Sequence, residues 1–152
     1  MFSLVRTGTL SLDADVNVAA LPTHLAECLR SVEAKRVEVR GNCVVFTGDI
    51  FRLVSNWNVL VPFDSGNLTI DGSGCQVRYR LSVRQLVAFG TGAVVVMTLF
   101  ILKSSAWQPL LLMMPLMWLW IVECNLAIGT ARFENFIRRA LATAPHLVKQ
   151  AP

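Results

Sequence analysis

The chain of 152 residues is 54% hydrophobic and only 16% charged, with a mean hydropathy of +0.53. That is too apolar for an ordinary soluble domain and too polar for one wholly embedded in lipid. Its formal charge of +4 is uneven, because residues 1–84 hold nine Lys or Arg against eight acids and residues 85–152 hold five against two. The excess base lies in the apolar half, where it suits anionic headgroups. The nearly balanced first half lacks the dense basic stripe with stacking aromatics that a nucleic-acid partner requires.

Met1 to Val16 alternates apolar and polar residues and carries Asp13 and Asp15, so it does not read as a secretory signal. Phe2 to Leu12 predicts a strand. Pro22 then suits the first turn of a helix on which Leu25, Cys28, Leu29 and Val32 recur at helical spacing. Arg36 to Arg40 alternates strictly, Gly41-Asn42 is a two-residue turn, and Cys43 to Phe46 continues as the partner strand. Phe51 to Phe63 contains another apolar run, ended by Pro62 and an Asp64-Ser65-Gly66-Asn67 turn cluster. Leu68 to Ile70 then turns through Asp71-Gly72-Ser73-Gly74 into Cys75 to Leu81. The expectation for residues 1–84 is an α+β domain, a small antiparallel sheet of five or six strands with one helix on one face. Such a domain is marginal by size unless neighbours or the membrane help.

Two uncharged, mostly apolar stretches follow, Gln85 to Leu102 and Ser104 to Val122, separated by Lys103. At 1.5 Å per helical residue they reach roughly 27 to 29 Å, close to the ~30 Å of bilayer hydrocarbon. They predict a transmembrane hairpin over 85–129, with spans at about 85–103 and 107–128 and a loop so short that the helices run antiparallel. Arg78, Arg80 and Arg84 precede the hairpin, Arg132, Arg138 and Arg139 follow it, and Lys103 stands alone in its loop. This bias predicts a bacterial-type inner membrane protein with both termini cytoplasmic, and hence reduced cysteines. In 130–152, Phe133, Phe136, Ile137, Ala140 and Leu141 form one stripe, opposite Glu134, Asn135, Arg138 and Arg139. That pattern fits an amphipathic interfacial helix lying in the membrane plane, and equally a helix docked on the soluble domain's own apolar face.

The polar groups that sit oddly are few. Glu123 is the single acid of the second span, expected to meet Arg80, Arg84 or Arg132 near the headgroups, with a proton or ion pathway as the sharper alternative. Thr91, Thr98 and Asn125 are too few to line a path across the bilayer. Pro115 should kink the second span. Ala88 and Gly92 form a small-residue pair permitting close helix contact, within the hairpin or between copies. Trp118 and Trp120 lie near mid-bilayer and point in different directions, which suits lipid or helix packing.

Neither histidine lies in a span to ligate haem, and His24 with Cys28 lacks the two further ligands of a zinc site, so no cofactor or metal is expected. No nucleophile elbow or phosphate-loop context appears. The expected function is therefore non-enzymatic: an integral membrane interaction or assembly protein, homo-oligomeric or an accessory subunit of a membrane complex, with the lipid bilayer as its first partner. The alternatives are an oligomeric channel or transport component using Glu123, and a tethered sensor or enzyme in which Arg78, Arg80 and Arg84 grip an anionic lipid or metabolite.

Overall fold

Five alternating segments, β1 (Val5–Ser11), β2 (Arg36–Arg40), β3 (Cys43–Thr47), β4 (Ser65–Asp71) and β5 (Gln76–Ser82), form one antiparallel sheet in the order β1-β5-β4-β3-β2. The computed structural model describes residues 4–12, 16–48, 59–73, 75–102 and 107–144. Register sorts the side chains. Leu10, Val77 and Ile70 share one row, Gly8, Tyr79, Leu68 and Val44 the next, and Arg6, Leu81, Gly66 and Phe46 a third, all on one face. The other face carries Thr7, Thr9, Arg78, Arg80, Asn67, Thr69 and Cys43.

Helix α1 (Leu21–Ser31) takes Pro22 in its first turn and buries Leu21, Leu25, Ala26 and Leu29 against the apolar face. Cys28 and Val32 flank that stripe, partly buried. Only Val83 separates β5 from helix α2 (Arg84–Ile101). That joint is pinned by Asp64, whose two carboxylate oxygens each lie 3.1 Å from the Gln85 N–H they accept from, with the Ser82 hydroxyl also donating to it. A carboxylate at this end complements the helix dipole.

The second apolar segment is helical from Trp107 through Ala142, as α3 (Trp107–Leu119), a π-helical turn (Trp120–Cys124) and α4 (Asn125–Ala142). Two helical stretches, Arg84–Ile101 and Met113–Ala142, are long and apolar enough to cross a membrane. The π turn inserts one residue and rotates the buried stripe. Met114 and Val122 are buried in the membrane-candidate half, and Leu126, Gly129, Phe133, Ile137 and Ala140 carry the buried face onward over the sheet.

Of the two placements open to the C-terminal stripe, the structure has the docked one. Phe133 is fully buried, its ring stacked on Phe46 at 5.9 Å and edge-on to Phe63 at 5.7 Å and Tyr79 at 5.8 Å, with Phe136 at 6.4 Å. Helix α4 thus supplies the second half of the lid over the sheet beside α1, and it meets the shortfall in core expected of residues 1–84 alone.

Ser65-Gly66-Asn67 belongs to β4 and is no turn. Gly66 is there because a Cβ would collide with the Phe46 ring and crowd Leu81, so the glycine serves packing within a strand. The apolar run beginning at Phe51 lies outside the described residues as far as 58, and Val59–Pro62 is turn.

Emptying the Phe133 site strands three aromatic partners and leaves a cavity, at a cost of about 3–5 kcal/mol. Whole domains have only ~5–15 kcal/mol of net stability. Phe133→Ala should therefore abolish cooperative thermal unfolding of the detergent-solubilised chain or lower its midpoint steeply, whereas the half-buried Phe136→Ala should shift it far less.

Candidate functional site

Two surfaces gather the polar residues of the chain, one on each side of β1. The first is a groove of about 450 Å³ between edge strand β1 and the π turn with α4, lined by Arg6, Tyr79, Glu123, Ala127, Thr130 and Glu134 among others. Glu123 and Glu134 stand on the groove side of the helical run, and the small Ala127 and Ala131 between them leave the space. Glu123 pairs with Arg6 at 3.1 Å, the two side chains being 39% and 43% exposed. Such a half-exposed pair is worth about 0–1 kcal/mol in water.

The expected partners of Glu123 were Arg80, Arg84 and Arg132, and the structure brings up Arg6 instead. The reason is strand parity. Arg6 shares its face with Gly8 and Leu10, the face that α4 covers, while Arg80 projects from the opposite one. The same alternation is visible in Arg6-Thr7-Gly8-Thr9-Leu10, where a charged residue occupies an inward position at the strand end nearest the membrane-candidate helices. Eleven residues further along the helix, Tyr79 donates its hydroxyl to Glu134. Burial first, then the hydrogen bond and charge of Glu134, push the Tyr79 phenol well above its ordinary value, with Arg138 working weakly against them. Both carboxylates are thus engaged, one as an ion pair and one as an acceptor. The groove offers contacts in place of a free acid or base.

The second surface is the uncovered polar face of the sheet. A shallow cleft of about 560 Å³ runs over Thr7, Thr9, Asn67, Thr69, Arg78 and Arg80, and a second of about 290 Å³ continues toward α2 past Ser65, Asn67, Arg80, Ser82 and Arg84. Arg78 pairs with Asp71 at 3.6 Å. Arg80 and Arg84 have no carboxylate partner among the described residues. Arg78 and Arg80 line the first of these clefts and Arg80 and Arg84 the second, along β5 and the start of α2.

The remaining candidates distribute along the hairpin. Ala88 and Gly92 are exposed, and an added Cβ at Gly92 meets nothing within 4 Å. The intramolecular contact uses Gly90 instead, where a Cβ would approach Val122 Cγ2 at 2.9 Å. Trp118 Nε1 donates to Thr91 Oγ1 across the hairpin at 3.0 Å, and the side-chain amide of Asn125, the first residue of α4, donates back to the Ile121 carbonyl of the π turn at 2.5 Å. Pro115 and Trp120 face outward, as do Arg138 and Arg139 on α4.

His24 and Cys28 do meet, with Cys28 Sγ 3.7 Å from His24 Nε2. The same nitrogen lies 2.9 Å from the Ala140 carbonyl, to which it donates near the end of α4, so His24 fastens α1 to α4. Burial and then the charge of Glu27 raise the Cys28 thiol above its ordinary value, which disfavours the thiolate a metal would take. Among the described residues no three His, Cys, Asp or Glu side chains converge on a metal position.

No protein-family model matches the chain, and no curated protein or solved structure matches it.

Tyr79 is the single tyrosine of the chain, so its phenolate band reports this site directly. Because its folded pKa is raised, the neutral phenol stabilises the fold fully below the unfolded value of 10.0, and that contribution is lost as pH rises through the folded one. Phenolate absorbance of the folded chain should stay flat through pH 10, and stability should fall above it. Tyr79→Phe should cost about 1 kcal/mol at neutral pH and flatten part of the alkaline decline in thermal scans.

Proposed function

We propose that this chain is a non-enzymatic integral membrane protein of the bacterial inner-membrane type. In this reading it holds a small α+β domain against the cytoplasmic surface and presents that domain for assembly, with copies of itself or with other subunits of a membrane complex. The observation that carries the reading is the unbroken helical run from Trp107 to Ala142, which starts in a membrane-candidate hairpin and ends inside the core of the sheet domain. A second, direct connection from β5 into α2 holds the same domain at the other strand of the hairpin. Two rigid connections fix an orientation, which a recognition surface needs and a tethered enzyme does not.

Several features support placing the hairpin in lipid. Helix α2 buries only Gly90 while Phe89 is 74% and Phe100 is 73% exposed, and Trp120 on the π turn is 69% exposed. A soluble monomer rarely leaves so large an apolar surface in water. Three polar side chains among the described residues of the hairpin bond within it, as hydrocarbon favours. Thr98 bonds the Val94 carbonyl, Trp118 bonds Thr91, and Asn125 bonds the Ile121 carbonyl. The excess of Arg on both flanks, against one Lys in the loop, supports cytoplasmic termini. Ala88 and Gly92, unused inside the hairpin, leave a narrow outward strip of α2 on which a second helix can approach closely. The ion pair of Glu123 with Arg6 favours a fastening role for that acid over a pore.

One preparation tests both parts. With the four native cysteines replaced, a cysteine placed at position 105 should react with an impermeant reagent applied to intact cells. After extraction in a neutral detergent, the native mass should be that of an oligomer or of a stable complex with other subunits. A protected position 105 refutes the topology, and a bare monomer with no companion refutes the assembly.

A further inference from the structure

We propose that the membrane-proximal end of the open sheet face is a binding site for a phosphate anion, supplied by the headgroup of an acidic phospholipid. This rests on the reading above only in taking the β5–α2 joint as the membrane boundary. The site is the cleft of about 290 Å³ at that joint, framed by Arg80 on β5, Arg84 at the start of α2, and Ser65 and Asn67 on β4.

Two features make it an anion site. The first is a pair of guanidinium charges with no acid bonded to them. Arg78 is paired with Asp71, and Asp64 accepts from the Gln85 N–H and the Ser82 hydroxyl and pairs with neither Arg80 nor Arg84. Arg80 and Arg84 keep their full charge, with no acid among the described residues bonded to either.

The second is the set of hydrogen-bond donors in the neutral lining, which also carries the apolar Val5 and Val45. The Cys43 thiol donates to Asn67 Oδ1 at 2.6 Å, which uses the acceptor end of that amide and leaves its two N–H donors for the cleft. Two guanidinium groups, an amide NH2 and the Ser65 hydroxyl then make a set rich in donors. Forked guanidinium groups match phosphate oxygens bidentately.

The source follows from position. The apolar, exposed part of α2 begins within two turns of Arg84, with Phe89 the first large side chain open to the surroundings. A headgroup phosphate of the lipid packed around that helix lies at the depth of the cleft, and its acyl chains run alongside α2.

The test uses the full chain purified in a neutral detergent and read by native mass spectrometry in mixed micelles. The probes are phosphatidylglycerol, phosphatidylcholine and, separately, orthophosphate. Wild type should retain phosphatidylglycerol over phosphatidylcholine by about tenfold, the scale of one or two charge-assisted hydrogen bonds. Arg80→Gln combined with Arg84→Gln should bring that ratio close to one, and Arg30→Gln on α1 should leave it unchanged. The pair Arg80→Lys and Arg84→Lys keeps the charge without the fork and should fall between, which holds the test open if the glutamine pair does not fold. Displacement of the lipid by orthophosphate in wild type only supports the same phosphate site filled from either source. An equal lipid preference in wild type and the glutamine pair, or no preference in wild type, overturns the site. The same spectra give the oligomeric mass, so failure of the lipid site and failure of the assembly reading are told apart.

Discussion

The contact on which the rest depends is Phe133 seated among Phe46, Phe63 and Tyr79. Those partners come from β3, the turn before β4, and β5, while Phe133 comes from the last helix of the chain. Seating it folds the C-terminal segment back over the sheet, and because α4 is continuous with α3 it also fixes the hairpin relative to the sheet. Gly129 lets Pro62 approach α4 where any Cβ would collide. Arg6 and Glu123 tie the near end of β1 to the π turn, and His24 ties α1 to the far end of α4. A sheet with one helix becomes a domain with two helices on one face, and its membrane-candidate hairpin becomes part of the same packed body.

This arrangement explains the division of labour between the faces of the sheet. The face bearing Leu10, Val77, Tyr79, Leu68 and Phe46 is consumed by α1 and α4. Among the described residues no helix lies over the opposite face, where one row runs from Thr9 through Arg78, Thr69 and Cys43 to Arg40. Since β5 leads into α2 with one intervening residue, the end of that open face carrying Ser82 and Arg84 is the end nearest the candidate span. Recognition of a lipid or a protein neighbour through it requires no hinge.

Much of the architecture could be read from local patterns. The β2–β3 hairpin, α1 with Pro22 in its first turn, the alternation of Val77, Tyr79 and Leu81 against Arg78 and Arg80, and the two apolar helices are all period-2 or period-3.6 signals within a few residues. What escaped is non-local or degenerate. The stripe Phe133, Ile137, Ala140 and Leu141 has the same spacing whether lipid or a sheet covers it, so periodicity alone leaves both placements open. Gly66 beside Asp64, Ser65 and Asn67 looks like turn chemistry until Phe46 is seen to occupy the space a Cβ would take. The pairing of Arg6 with Glu123 joins positions 117 apart. It becomes readable only once the parity of β1 and the cover by α4 are known together. The π turn has no sequence signature at all, although the buried positions at Val122 and Leu126 register its effect.

Whether the sheet domain and the hairpin are one body, joined by the helical run through Trp120–Cys124, is read from a distance distribution. Spin labels on the exposed Thr69 of β4 and the exposed Leu99 of α2, with native cysteines replaced and the full chain in lipid nanodiscs, report the two parts against each other by pulsed electron resonance. A single body gives one narrow distance that broadens when a flexible glycine-serine segment is inserted after Cys124. A distribution already broad or multiply peaked in the uninterrupted chain would contradict it.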